Sequence, residues 1–282
     1  MPCPIFESDE PGERIAVRVA AGMPTFTAAD GAELSYTDSG PRGGIPLLFL
    51  HGWIATASIW TPVISLLAKR HRTVAIDMRG FGESSAARGP YRVETFADDL
   101  SALIADLDLD PSVVIGHSMG AAVAQRFAID RPEAVEGLVL IAPVPVDGVA
   151  FPPKIDALFR SIPGNPDIAN AWLAQLTHHP QPPAITALLR AGAAAAAAPA
   201  ALESYESWSN LSFADEAATI ETPTLVIAAA GDKPFTPDFV NKRTVALIEG
   251  SRLEIVDEAA HYVPLERPDR IAKFIERFID QL

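Results

Sequence analysis

The feature that most constrains the fold is the alternation of short apolar runs with helical patterns. Five runs are mostly apolar, as expected of strands buried on both faces; they cover residues 46–50, 73–76, 112–115, 137–141 and 224–228. Helical patterns with one apolar face cover residues 57–69, 93–107, 119–129 and 267–282. Strands that alternate with helices form right-handed crossovers. The chain is therefore predicted to be an α/β protein with a mainly parallel sheet covered by helices.

Two segments depart from this alternation. Near the N-terminus, Asp30-Gly31 lies between two strand-like segments, so a β-hairpin is predicted to begin the sheet. Residues 145–220 are helical, are interrupted by prolines, and carry fewer charges than the rest of the chain. The alanine run in this stretch favours a helix that ends at Pro199. We predict a core formed by residues 1–144 and 221–282, with a helical cap over residues 145–220.

Composition excludes several classes of protein. The 36 acidic residues outnumber the 22 basic ones and give a net charge of −14, which disfavours binding to nucleic acid or anionic lipid. The single cysteine forms no internal disulfide, and no Cys/His cluster predicts a metal site. The uncharged window 43–68 is interrupted by prolines and polar residues, so no transmembrane helix is predicted. Without a signal-peptide pattern, a cytoplasmic location is expected.

The strongest motif is the pentapeptide Gly116-His117-Ser118-Met119-Gly120, which lies between a predicted strand and a predicted helix. A G-x-S-x-G sequence in this context forms a tight turn that presents a nucleophilic serine above the sheet. The glycines allow neighbouring segments of the chain to approach the turn closely. Ser118 is therefore the candidate nucleophile.

A nucleophilic serine needs a base, and the base needs an acid that orients it. His261 and Asp232 each follow a strand-like segment, which makes them the candidate base and acid. From the residues alone, Asp147 and Asp257 remain rival acids. Alternative interpretations are that His261 caps the last helix and that Asp232 is a turn residue before a proline.

A tetrahedral intermediate also needs hydrogen-bond donors for its oxyanion. The segment Leu50-His51-Gly52-Trp53 follows the first predicted parallel strand, and sites in open sheets lie at the carboxyl ends of strands. The backbone amides of Trp53 and Met119 are therefore the candidate donors. Several aromatic side chains are candidates either for lining a substrate pocket or for packing inside the cap: Trp53, Phe151, Phe159, Trp172 and Trp208.

The remaining histidines are assigned structural roles. His51 is expected to support its own loop, and His117 is expected to pack inside the serine turn. His71, His178 and His179 are expected to lie at the surface.

With these motifs in place, the sequence resembles the α/β-hydrolase superfamily over residues 24–282. The matching segments are His51-Gly52-Trp53, the 77–84 turn, the serine pentapeptide, Gly231-Asp232 and Ala260-His261. The order serine, acid, histidine is also that of the superfamily. The resemblance implies an α/β-hydrolase fold, with an eight-stranded, mostly parallel sheet flanked by helices and a helical lid after the sixth strand. Within the superfamily, the chain is similar to the small-molecule esterase, lactonase and cofactor-free haloperoxidase branch.

The sequence thus predicts a serine hydrolase that cleaves a small to medium apolar ester or lactone through an acyl-enzyme, without a metal or organic cofactor. The low charge of residues 145–220, which are expected to cover Ser118, favours an uncharged substrate. One alternative keeps the triad but catalyses perhydrolysis, C–C bond hydrolysis or a lyase reaction. Another is a non-catalytic ligand receptor or interaction protein on the same scaffold. No prediction follows for the oligomeric state.

Overall fold

The computed structural model describes residues 23–178 and 181–282. It contains the strands β1 Thr25–Thr27, β2 Glu33–Ser39, β3 Leu47–Leu50, β4 Thr73–Ile76, β5 Ser112–His117, β6 Val135–Ile141, β7 Thr224–Ala229 and β8 Arg252–Val256. They form one eight-stranded sheet in the order β1-β2-β4-β3-β5-β6-β7-β8. β1 and β2 pair antiparallel, as do β2 and β4, and the remaining pairs are parallel. The predicted fold is confirmed, although residues 1–22, which were assigned to the core, lie outside the described part.

Helices connect the strands and cover the sheet. They are α1 Thr61–Leu67, α2 Val93–Leu107, α3 Met119–Asp130, α4 Pro153–Ser161, α5 Pro166–Leu173, α6 Pro183–Ala194, α7 Ala198–Ser209, α8 Ala214–Ala217, α9 Pro237–Val240, α10 Val263–Glu266 and α11 Pro268–Ile279. Among the layers that flank the sheet, α1 packs against α11 and α2 packs against α3.

The central strands are buried along their whole length. β3, β4, β5 and β7 have no exposed residue, which explains their unbroken apolar sequences. In the parallel register, Leu50 lies beside Gly116 and His117 lies beside Ile141. The loops that follow β3, β5 and β6 therefore meet at one edge of the sheet.

Two predicted helices differ from the observed ones, and a proline lies at each difference. The pattern 57–69 is a 3₁₀ turn followed by α1, with Pro62 in the first turn of that helix. The pattern 267–282 is confirmed as one helix, α11, which begins at Pro268 and ends at Ile279; the short helix α10 ends before it, at Glu266. The predicted helix ending at Pro199 is wrong, because α6 ends at Ala194 and Pro199 lies in the first turn of α7. Proline lacks an N–H group, and the first turn is where a helix tolerates that loss.

We use the term insertion for residues 145–220. It contains α4 to α8, which lie between β6 and β7. Four of these helices, α4 to α7, have a proline in the first turn, so the prolines mark helix starts. Within the described residues, no single helix is long and apolar enough to span a membrane; α6 and α7 reach that length and composition only as a pair, bent by 94°.

Candidate active site

Ser118 lies in the turn between β5 and α3, with φ 55° and ψ −117°. A positive φ is unfavourable for a residue that has a Cβ, so the surrounding contacts must hold this conformation. A Cβ on Gly116 would lie 2.3 Å from the carbonyl oxygen of Gly120, and a Cβ on Gly120 would lie 2.5 Å from the carbonyl oxygens of Leu50 and His51. Both positions therefore require glycine, and the close packing holds Ser118 at the carboxyl end of β5.

Three side chains from separate loops meet at this turn. Nε2 of His261 lies 3.0 Å from Oγ of Ser118, and Nδ1 of His261 lies 2.8 Å from Oδ2 of Asp232. Asp232 follows β7 and His261 follows β8, so the parallel pairing of these strands places the two residues side by side. All three are buried, with exposures of 6 % for Ser118, 6 % for His261 and 1 % for Asp232. The structure thus brings the predicted nucleophile, base and acid together.

The loop around Asp232 fixes the orientation of its carboxylate. Its Oδ1 accepts a hydrogen bond from the backbone N–H of Phe235 at 3.2 Å, which leaves Oδ2 for the imidazole. The rival acids lie in other environments. Asp147 forms an ion pair with Arg243, and Asp257 is exposed to solvent. Of the three candidate acids, Asp232 is the one that the structure places against His261.

The side chain of His117 forms a hydrogen bond with the backbone of His261. Its Nε2 lies 2.7 Å from the carbonyl oxygen of His261, and since a carbonyl only accepts, Nε2 carries the proton and donates. Burial lowers the pKa of His117 well below its usual value, so the ring is neutral. A Cβ on Gly52 would lie 2.9 Å from Nδ1 of His117, which explains the glycine there. The predicted packing role of His117 therefore includes holding the loop of His261.

His51 connects two loops beside the site. Its Nδ1 donates to the carbonyl oxygen of Gly52 at 2.7 Å, and its Nε2 accepts from the backbone N–H of Met78 at 3.0 Å. Burial lowers the pKa of His51 to about 4, so it is neutral under ordinary conditions. These contacts agree with the predicted role of supporting the loop.

The surface positions expected for the other histidines are wrong for two of them. His71 and His178 are half-buried, and burial lowers the pKa of His71. The backbone N–H of His178 donates to Oε2 of Glu266 at 2.8 Å, while Oε1 of Glu266 accepts from the N–H of Ala260 at 3.1 Å. Sequence reasoning missed Glu266, which connects the insertion to the loop of His261. His179 lies outside the described residues.

The two candidate oxyanion donors lie on neighbouring loops. Met119 is the first residue of α3, so its N–H has no acceptor within the helix. The loop of Trp53 follows β3, which pairs directly with β5 below Ser118. Trp53 and Ser118 also line the same cavity. In the described part of the chain, no group of three His, Cys, Asp or Glu side chains could hold a metal ion.

The cavity above Ser118 is small, with a volume of about 30 Å³. Four of the five predicted aromatic residues line it: Trp53, Phe159, Trp172 and Trp208. The fifth, Phe151, packs against Phe159 with 5.0 Å between ring centroids and is not among the lining residues. Sequence reasoning missed five further lining residues, namely Ile54, Leu176, Pro234, Phe235 and Tyr262.

Aromatic packing joins the insertion to the core. Nε1 of Trp53 donates to the carbonyl oxygen of Ala201 at 2.7 Å, and its ring lies 5.4 Å from that of Phe159. Phe159 stacks on Tyr205 with 4.9 Å between centroids and 7° between planes. The hydroxyl of Tyr205 donates to Asp156 at 2.8 Å, and this tyrosine was also missed by sequence reasoning. The pocket residues of the insertion are therefore held mainly by ring contacts.

Comparison with known proteins places this geometry in a family. The profile of the alpha/beta hydrolase family matches residues 47–274. A non-heme chloroperoxidase from Streptomyces lividans is 39 % identical over 125 residues, which are 44 % of this chain and 45 % of that protein. The chain thus spans less than half the length of that relative. A putative non-heme chloroperoxidase from Synechocystis sp. is 29 % identical over 271 residues, 88 % of this chain and 95 % of that protein.

A solved structure shows the same fold over almost the whole chain. An esterase from Exiguobacterium antarcticum superposes with a TM-score of 0.84 and 22 % identity, over 92 % of this chain and 100 % of that one. These similarities agree with the predicted esterase, lactonase and haloperoxidase branch. Because the family profile matches most of the chain, the protein belongs to the alpha/beta hydrolase family.

Proposed function

We propose that the protein is a serine hydrolase that cleaves small to medium apolar carboxylic esters, including lactones, through an acyl-enzyme. The observation that carries this proposal is the pair of hydrogen-bond distances that connects Ser118 to His261 and His261 to Asp232, 3.0 Å and 2.8 Å. Serine activation requires a base within such reach and an acid that orients the base.

In the acylation step, Oγ of Ser118 attacks the carbonyl carbon while its proton passes to Nε2 of His261. The ester C–O bond then breaks, and the leaving oxygen takes that proton from Nε2. During this step the Nδ1–H of His261 donates to Asp232, whose carboxylate stabilises the imidazolium. Because Phe235 holds the other carboxylate oxygen, Asp232 keeps the ring in one orientation.

Negative charge develops on the carbonyl oxygen of the substrate. We assign the backbone N–H groups of Trp53 and Met119 as the hydrogen-bond donors that stabilise it. The N–H of Met119 lies at the positive end of α3, which favours an anion there. Removal of one oxyanion donor typically lowers kcat by about 10²–10³-fold. In deacylation, His261 takes a proton from water, the hydroxide attacks the acyl carbon, and Ser118 leaves with the proton from His261.

The lining residues support an apolar, uncharged substrate. Phe159, Trp172, Leu176 and Trp208 come from the insertion and lie over Ser118, which supports the assignment of residues 145–220 as a cap. Pockets that hold small molecules usually measure roughly 300–1,000 Å³. Since the cavity measures about 30 Å³, the cap or its side chains must move when substrate binds.

A second candidate function is perhydrolysis. It is favoured by the similarity of this chain to a non-heme chloroperoxidase and to a putative one. In that reaction hydrogen peroxide replaces water in the second step. The peroxide oxygen attacks the acyl carbon, the bond to Oγ of Ser118 breaks, and the products are a peracid and the free serine. The same His261 would take the proton of hydrogen peroxide.

A substrate panel tests both candidates. We expect the protein to hydrolyse p-nitrophenyl esters and lactones, and the Ser118→Ala variant to lose roughly 10⁴-fold or more in kcat. Peracid formation that exceeds ester hydrolysis in the presence of peroxide would favour the second candidate. If the folded protein cleaves no ester and does not react with a fluorophosphonate probe, both enzymatic candidates are wrong, and a ligand receptor becomes the better account.

A further inference from the structure

The indole of Trp172 separates two spaces. One is the cavity of about 30 Å³ above Ser118. The other, which we call the outer groove, has a volume of about 380 Å³ on the surface of the insertion. The outer groove is lined by Leu158, Asp167, Ile168, Ala171, Trp172 and Gln175. Trp172 is the residue that the two linings share.

The separating wall is one half-buried side chain. Trp172 lies near the end of the eight-residue helix α5 and meets the ring of Phe159 edge to face, with 5.0 Å between centroids. Phe159 in turn lines the cavity above Ser118. Trp172 therefore contacts both the cavity and the outer groove, and it lies on α5, outside β5, β7 and β8.

The volumes and the lining decide what the outer groove can hold. The cavity is too small for an ester substrate, whereas the outer groove lies in the usual range for ligand pockets. Its walls include the apolar side chains of Leu158, Ile168 and Ala171, which suit a neutral aliphatic chain. The carboxylate of Asp167 belongs to the same lining and disfavours a chain that ends in a carboxylate.

We propose that the outer groove binds the aliphatic chain of the ester, and that Trp172 determines which chain lengths can react at Ser118. The inference rests on the proposed function and names the substrate class of that site: neutral esters with an aliphatic chain. When Trp172 turns aside, the scissile carbonyl lies at Ser118 and the chain extends past the α5 helix into the groove. Each methylene group buried there is expected to raise kcat/KM by roughly fourfold.

Two variants with opposite expected effects test this inference. Trp172→Ala removes the wall, and Ala171→Trp fills the outer groove from an exposed position on the same helix. The matched control is Ala174→Trp, the same substitution at an exposed position that does not line the groove. Folding of each variant is checked by circular dichroism and thermal melting.

The readout is the ratio of kcat/KM for octanoate to acetate p-nitrophenyl esters, and for octyl to ethyl acetate. In at least one series, we expect Trp172→Ala to raise this ratio by about tenfold or more and Ala171→Trp to lower it similarly. The control Ala174→Trp should keep the wild-type ratio. The two series show whether the chain in the groove belongs to the acid or to the alcohol.

The outcomes separate this inference from the proposed function. If the wild type cleaves esters but neither Trp172→Ala nor Ala171→Trp changes the ratio in either series, the outer groove does not bind the chain. An equal change in Ala174→Trp would also contradict it. If the wild type cleaves no ester, the proposed function fails and this inference fails with it. Should Trp172→Ala not fold, the decrease expected for Ala171→Trp remains decisive.

Discussion

The carboxyl edge of the sheet and the insertion contribute to one site, but they are built in different ways. At the sheet edge, Ser118, Asp232 and His261 lie in the loops that follow β5, β7 and β8, and backbone contacts fix their positions. In the insertion, the residues over Ser118 are held mainly by contacts between aromatic rings. The reacting groups therefore depend on strand register, whereas the shape of the pocket depends on side-chain packing that a single substitution can change.

After loss of the nucleophile itself, the largest effect is expected at the acid on the sheet edge. In Asp232→Asn the amide no longer holds His261 in the productive orientation, so kcat should fall by roughly 10³–10⁴-fold. The matched control is Asp257→Asn, at an exposed rival acid, which should stay within about twofold of wild type. Steady-state kinetics on one ester compares the two. Equal losses in both variants would show that Asp232 has no special role.

The backbone contacts of the sheet edge can be tested at Gly120. In Gly120→Ala the new methyl group meets the carbonyl oxygens of Leu50 and His51, each 2.5 Å away, so the turn must distort. We expect a loss of about 3 kcal/mol or more in the free energy of unfolding, measured by urea denaturation. Gly44→Ala, whose Cβ would have no neighbour within 4 Å, should be neutral or slightly stabilising. A neutral Gly120→Ala would contradict the close-packing argument.

The buried histidines of the sheet edge predict a pH dependence of stability. Burial lowers the pKa of His51 to about 4 from its ordinary 6.5. Between these two pH values His51 is therefore protonated in the unfolded chain but neutral in the folded one. The free energy of unfolding should therefore fall as the pH falls from about 6.5 to about 4, by about 3 kcal/mol from His51 alone. Urea denaturation across this range measures the slope. His51→Gln should make this slope smaller. An unchanged slope would show that His51 does not cause the pH dependence of stability.

A smaller effect is expected where the two regions join. Trp53→Phe keeps an aromatic ring but removes the hydrogen bond to the carbonyl oxygen of Ala201. We expect a loss of about 1 kcal/mol in the free energy of unfolding, since that carbonyl loses its partner. Tyr205→Phe, which removes the hydrogen bond to Asp156 inside the insertion, is the matched comparison. If Trp53→Phe is fully neutral, the Trp53 hydrogen bond does not contribute to holding the insertion on the core.

The sequence predicted the sheet edge well because each site residue lies in the loop that follows a strand. The apolar runs of β5 and β7 can be recognised locally, and Ser118 and Asp232 lie in the loops that follow them. His261 follows β8, which contains Arg252 and Glu254 and is a weaker local signal. The antiparallel first pair was also predictable, since Asp30-Gly31 is a local turn signal.

The insertion was harder to predict because its contacts join residues that are far apart in the sequence. Nothing near Tyr205 indicates that it stacks on Phe159, and nothing near Glu266 indicates that it binds the N–H groups of His178 and Ala260. The alanine run was interpreted as a helix that ends at Pro199, whereas the break lies between Ala194 and Ala198, because alanine favours helix on both sides of it. Tertiary packing, rather than local propensity, decides these features.

The proposal that Ser118 is an activated nucleophile is tested by covalent labelling. The wild-type protein is treated with a fluorophosphonate, and peptide mapping by mass spectrometry locates the adduct. We expect one adduct, on Ser118, and none in a folded Ser118→Ala variant that has also lost ester hydrolysis. An adduct on another residue, or ester hydrolysis that persists in Ser118→Ala, would contradict the proposed mechanism.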